Sequence, residues 1–110
     1  MRTQTELNIE ANQKLMLAED EMQKALNLTL QAVWADTADS ESVASDRVLK
    51  QMIQQQQLDW IRYRDNYCES IGMYFTGGSI QPLMILKYGE MLTRNRIREL
   101  KMLQELFNWH

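Results

Sequence analysis

Cys68 and His110 are the sole cysteine and the sole histidine of the chain. A thiol nucleophile needs a base beside it, and the only imidazole stands at the C-terminal residue, so nucleophilic catalysis is not expected. One cysteine makes no internal disulfide and no cysteine-rich zinc site. Cys68 is expected to be an inert, half-buried thiol, with an intermolecular disulfide as the alternative. No Glu-x-x-His pair is present from which a di-iron bundle could be built. Glu19, Asp20 and Glu21 are consecutive, and consecutive helical positions point in different directions, so a solvated acidic face is expected rather than one site. Gly77-Gly78-Ser79 follows no strand and reads as a helix–helix turn, not as a phosphate cradle. No enzyme activity, metal or cofactor is expected.

The remaining chemistry is charge. Arg64 and Arg96 fall on apolar helix stripes, and burying a guanidinium is costly unless it is paired. Asp65 and Glu99 are the near carboxylates and Thr93 supplies a hydroxyl, so these five residues are expected to form a buried polar network between the second and third helices. Asp36, Asp39 and Glu41 lie in the small acidic segment ADTADSES (35–42), which reads as an exposed loop and is the first candidate for a partner contact. Arg94 and Arg98, with Lys101, form a basic stripe. It reads as cations favoured near a helix C-terminus, or as a second docking surface for an anionic partner.

Three helices must position these groups. Residues 1–71 contain neither glycine nor proline, and strand-type alternation is absent. Leu7, Ala11, Leu15, Ala18, Met22, Leu26, Thr29 and Val33 recur at gaps of three and four and predict a helix over about 3–34. Leu49, Ile53, Gln56, Trp60, Arg64, Tyr67, Ile71 and Phe75 predict a second over about 43–75, with Ser42 or Ser45 as N-cap and Gly72 weakening its last turn. Ile85, Gly89, Leu92, Arg96, Leu100, Leu103 and Phe107 predict a third over about 80–107. Ser79 is its candidate N-cap and Pro82 stands in its first turn. Gly77 and Gly78 suit the left-handed position that ends the second helix.

The fold class is therefore all-α, an antiparallel up-down-up bundle in which the shorter third helix covers part of the first hairpin. Trp60, Tyr63 and Tyr67 are expected in the core, together with Met22, Met52, Met84, Met91 and Met102. Gln54–Gln57 reads as a neutral helix face. Trp34 is expected to cap one bundle end and Trp109 to be exposed.

The 110 residues, 45% hydrophobic and 25% charged, suffice for a single globular domain, 1–110. No run of eighteen apolar residues spans a membrane. The N-terminus lacks the apolar core of a signal peptide, so the chain is expected to be cytoplasmic or to have lost a signal. Net charge is −3, which argues against nucleic acid as partner. The acidity is concentrated in residues 1–50, with nine acids and five bases, against six acids and seven bases in 51–110.

Three segments together resemble one family. They are TQTELNIEA (3–11), QLDWIRYRDNYC (57–68) and GGSIQPLMILKYGEMLTRNRIREL (77–100). They are similar to the small bacterial proteins related to the lysozyme inhibitor LprI. The matching positions include Thr3, Gln4, Glu6 and Asn8, then Trp60, Arg64, Asp65 and Cys68, and finally Thr93, Arg96, Glu99 and Leu100. Glu10 and Tyr88 stand where the family usually has further cysteines. The resemblance implies a non-catalytic protein-binding inhibitor that blocks a lysozyme-like cell-wall hydrolase, or an immunity protein that neutralises a bacterial toxin. A helical adaptor that binds a partner helix is the alternative. It also implies export or a periplasmic home, with a signal removed; a cytoplasmic home is the alternative, which the missing cysteines support.

Overall fold

Thr3 opens the first helix. Its side chain accepts a hydrogen bond from the Glu6 amide at 3.1 Å, satisfying one of the free N–H groups of helix α1 (Gln4–Ala32). Helices α2 (Ser40–Tyr74) and α3 (Gln81–Phe107) complete an all-α, up-down-up bundle. The computed structural model describes residues 1–33 and 40–109, and of Ser40 only the backbone. Trp34, Asp36, Asp39 and His110 lie outside the described residues.

Helix α2 starts earlier than its stripe suggests, so Ser42 and Ser45 lie inside it and are not caps. It also runs through Gly72. There the Gln81 side chain donates to the Gly72 carbonyl at 2.7 Å and Ile85 packs where a side chain would stand. At the following turn Gly77 takes φ +84° and the Gly78 amide bonds the Phe75 carbonyl at 3.0 Å. Ser79 does not cap α3. The cap position belongs to Ile80, which makes no side-chain cap bond, and Pro82 occupies the first turn.

The two helices flanking α3 run in opposite senses along it. Leu15 of α1 lies at Gly89, Glu21 bonds Arg94 and Thr29 bonds the Leu100 carbonyl, so α1 is parallel to α3. On α2, Gln57 bonds Arg96, Arg64 reaches Thr93 and Gly72 meets Ile85, so α2 is antiparallel. Helix α3 is thus the central helix rather than a partial cover over a hairpin, and α1 and α2 are the pair that approach least. Residue size explains this. Ala11, Ala18 and Ala25 recur every seventh position on α1 and are all buried, and Leu15 of the same helix packs over Gly89 of α3. The approach is close enough for the Thr29 hydroxyl to share its proton between the Ala25 carbonyl at 2.8 Å and the Leu100 carbonyl at 3.0 Å.

The main apolar core gathers towards the C-terminal end of α3. Met22, Ala25, Leu26 and Val33 meet Ile53, Ile97 and Leu100 there, with Leu49, Trp60 and Phe107 packed around them. Several expected core residues are not in it. Met52, Met91 and Met102 are exposed, as is Tyr63, while Met84 and Tyr67 are half-buried. Each of the exposed four sits to one side of the stripe and turns off the contact face. Tyr63 instead neighbours Tyr67, which neighbours Tyr88, with ring centroids 6.0 and 6.2 Å apart. Gln57, not Gln56, completes the α2 stripe.

The glycines separate two kinds of constraint. Gly77→Ala puts a Cβ on a left-handed residue and is expected to cost about 1 kcal/mol. At Gly89 a Cβ would stand 3.5 Å from the Leu15 methyls and 3.7 Å from Cys68 Sγ, which is ordinary contact. Gly89→Ala should therefore gain up to about 1 kcal/mol of helix propensity. Urea midpoints that move in opposite directions would bear out both assignments; a lowered midpoint for Gly89→Ala would mean that α1 and α3 have no room to spare.

Candidate functional site

Two inward arginines organise the polar interior. The Arg64 side chain is 13% exposed. Its Nη1 donates to Glu19 Oε1 at 3.0 Å and to Thr93 Oγ1 at 3.3 Å, and its Nε donates to Asp65 Oδ1 at 3.1 Å. The guanidinium lies 5.3 Å from the Trp60 ring centroid, within cation–π range. Thr93 passes its own proton to the Gly89 carbonyl at 2.7 Å. One side chain of α2 thereby ties α1 to α3.

Arg96 forms a second, separate group. Its Nε donates to Gln57 Oε1 at 2.9 Å and its Nη1 to Glu99 Oε1 at 3.2 Å. Gln57 is buried, whereas Glu99 reaches solvent. Arg96 Nη2 is buried without a partner. Arg64 and Asp65 thus meet Thr93 in one group, and Arg96 and Glu99 meet in the other.

Glu19 and Gln57 are the partners that sequence reasoning missed. Glu19 belongs to the acidic triplet, which the fold splits: Glu19 to Arg64, Asp20 to Lys24 at 3.1 Å and Glu21 to Arg94 at 3.1 Å. A signal for Gln57 was present. It stands four after Ile53 and three before Trp60, a spacing as good as that of Gln56.

The partner-contact candidates divide. Asp36 and Asp39 fall on residues outside the description, and Glu41 stands in the first turn of α2, where a carboxylate complements the helix dipole. Arg94 is engaged within the chain, with Nε on Glu90 Oε2 at 2.8 Å and Nη1 on Glu21. The Glu90 hydrogen bond pushes its pKa further up. Arg98 is exposed and bonds only the Asn95 side chain, with no ion pair among the described residues.

Cys68 is half-buried, and burial pushes its thiol above the ordinary value of 9.0, with Arg64 opposing and Asp65 adding to the rise. A thiol held neutral is a poor nucleophile. A cleft of about 370 Å³ opens between the N-terminal halves of α1 and α3, lined by Leu7, Glu10, Lys14, Leu83, Lys87 and Glu90 among others. Its charges are of both signs, with Glu10 paired to Arg2 and to Lys14. Among the described residues no three potential ligands converge on a metal position, and no helix is long and apolar enough to cross a membrane.

Comparison with known proteins gives a consistent result. The profile of the family described as lysozyme inhibitor LprI matches residues 1–100. An uncharacterized protein of Rhizobium meliloti (strain 1021) is 34% identical over 104 residues, covering 94% of this chain and 75% of the relative. No solved structure matches the chain.

Proposed function

Because the chain belongs to the LprI family of lysozyme inhibitors, we propose that it works without catalysis, by binding and blocking a lysozyme-like cell-wall hydrolase. The observation that carries this reading is the family match through nearly the whole chain. The charge pattern supports it. Lysozyme-type enzymes act through carboxylates in a cleft, and a basic enzyme of this kind would be drawn to an acidic chain of net charge −3. The acidic segment with Asp36, Asp39 and Glu41 is the proposed contact. Of the basic pair, Arg98 rather than Arg94 has donors to spare for a partner. The reading implies an exported protein, since the hydrolase acts on the cell wall.

Purified protein should slow lysozyme clearing of a bacterial suspension, and raising salt should slow the association. Replacing the three acids by Asn, Asn and Gln should weaken inhibition about tenfold or more, as the loss of steering and rim charge predicts. No inhibition at large molar excess would sink the function; undiminished inhibition by the triple variant would sink the contact.

A further inference from the structure

The last turns of α3 carry an apolar groove of about 490 Å³ lined by Glu99, Met102, Leu103 and Leu106. Met102 and Leu106 are 68% and 61% exposed and lie off the face that α3 turns to α1 and α2. The family match ends at residue 100, so this patch is largely outside the span shared with the family. The elongated outline leaves more surface exposed than a compact chain would. The chain spans 60 × 26 × 15 Å and exposes 7854 Å². A compact monomer of its mass exposes roughly 6,300 Å², and a standard interface removes only about 800 Å² per partner.

The charges flanking the groove indicate what covers it. Arg98 and Glu105 stand seven residues apart on one flank of the stripe, four before and three after Met102. Neither makes an ion pair among the described residues. When two helices pack antiparallel about a two-fold axis, residues on the same flank face each other, and each contact occurs twice. With the axis near Met102, Arg98 comes opposite Glu105 of the second copy. In a parallel pair the two copies of this flank lie on opposite sides of the interface, so Arg98 and Glu105 would not meet. Glu99 adds no unpaired charge, because Arg96 already holds it.

We propose that this chain forms a two-fold homodimer through the C-terminal half of α3. Leu106 of each copy enters the other's groove, and two Arg98–Glu105 pairs fix the antiparallel orientation. The dimer would occupy Arg98, so the hydrolase contact then rests on the acidic segment alone, and the two readings are tested separately.

Sedimentation equilibrium of the full chain tests it. The parent should be dimeric, and Leu106→Asp should be monomeric with unchanged helix content by circular dichroism. Arg98→Glu and Glu105→Arg should each weaken the dimer about tenfold or more, and the double swap should restore it, as expected for a pair that reads itself across an axis. A parent that stays monomeric at about 0.1 mM, a weak affinity for any specific dimer, overturns the proposal. So does a dimer indifferent to Leu106→Asp, or a double swap as weak as the singles. Binding of a foreign helix by a monomeric parent counts on the same side.

Discussion

Leu100→Ala is expected to remove about 4 kcal/mol of stability, towards the upper end of the usual range of ~2–5 kcal/mol for a buried leucine. Leu100 is fully buried, within the cluster that also holds Met22, Leu26, Ile53 and Ile97. Because α3 is the central helix, the cavity would open where all three helices meet. Collapse is obstructed on the α1 side, since the Thr29 hydroxyl already bridges the Ala25 and Leu100 carbonyls and leaves the two helices little room to close. A domain of this size holds only about 5–15 kcal/mol in total, so the variant should sit close to the unfolding threshold at 37 °C. Leu58→Ala, at a leucine 58% exposed on α2, is the matched control and should shift stability by about 0.5 kcal/mol or less. Urea unfolding of the two variants decides; a Leu100→Ala loss under about 1.5 kcal/mol would mean that the helices close over the gap.

The helices were legible because periodicity and the distribution of glycine and proline are local signals. Gaps of three and four mark each inward face, and the Gly77–Gly78 pair marks the turn. The packing order was not legible from the same stripes. A stripe records which face is buried but not which neighbour lies closest, and that depends on bulk at the contact: α1 buries alanines at 11, 18 and 25, and Leu15 packs over the glycine at 89. The methionines at 52, 91 and 102 misled for a related reason. An unbranched apolar side chain beside a stripe has the composition of core, yet a rotation of less than one residue's turn carries it to solvent. In the polar interior, Asp65 and Glu99 were legible because they sit one and three residues from their arginines. Glu19 and Gln57 arrive from other helices, 45 and 39 residues away; spacing could place Gln57 on the inward stripe, but no local pattern pairs either with its arginine.

The Arg96–Gln57 contact yields the other large effect, and its sign depends on which partner is removed. Gln57→Leu takes away the buried acceptor and leaves a buried guanidinium held by Glu99 alone, with Nε now unpaired as Nη2 already is. Leaving a buried donor without its acceptor costs about 1–3 kcal/mol, and more when the group is charged, as it is here. Arg96→Met removes the charge itself and its orphaned donors, leaving only the neutral Gln57 amide unsatisfied, at about 1–3 kcal/mol. Glu99, 56% exposed, is simply rehydrated. In Gln57→Leu/Arg96→Met the whole interaction becomes apolar, and such replacements are often neutral or stabilising. The expected order of stability is therefore Gln57→Leu lowest, Arg96→Met intermediate and the double variant highest, with a coupling of about 2 kcal/mol or more across the cycle. The polar contact then serves to fix which of the adjacent glutamines, 56 or 57, faces α3. If so, the double variant should keep its helix content while its amide spectrum broadens as α2 samples neighbouring registers. A double variant less stable than Arg96→Met alone would show instead that the contact is a net source of stability.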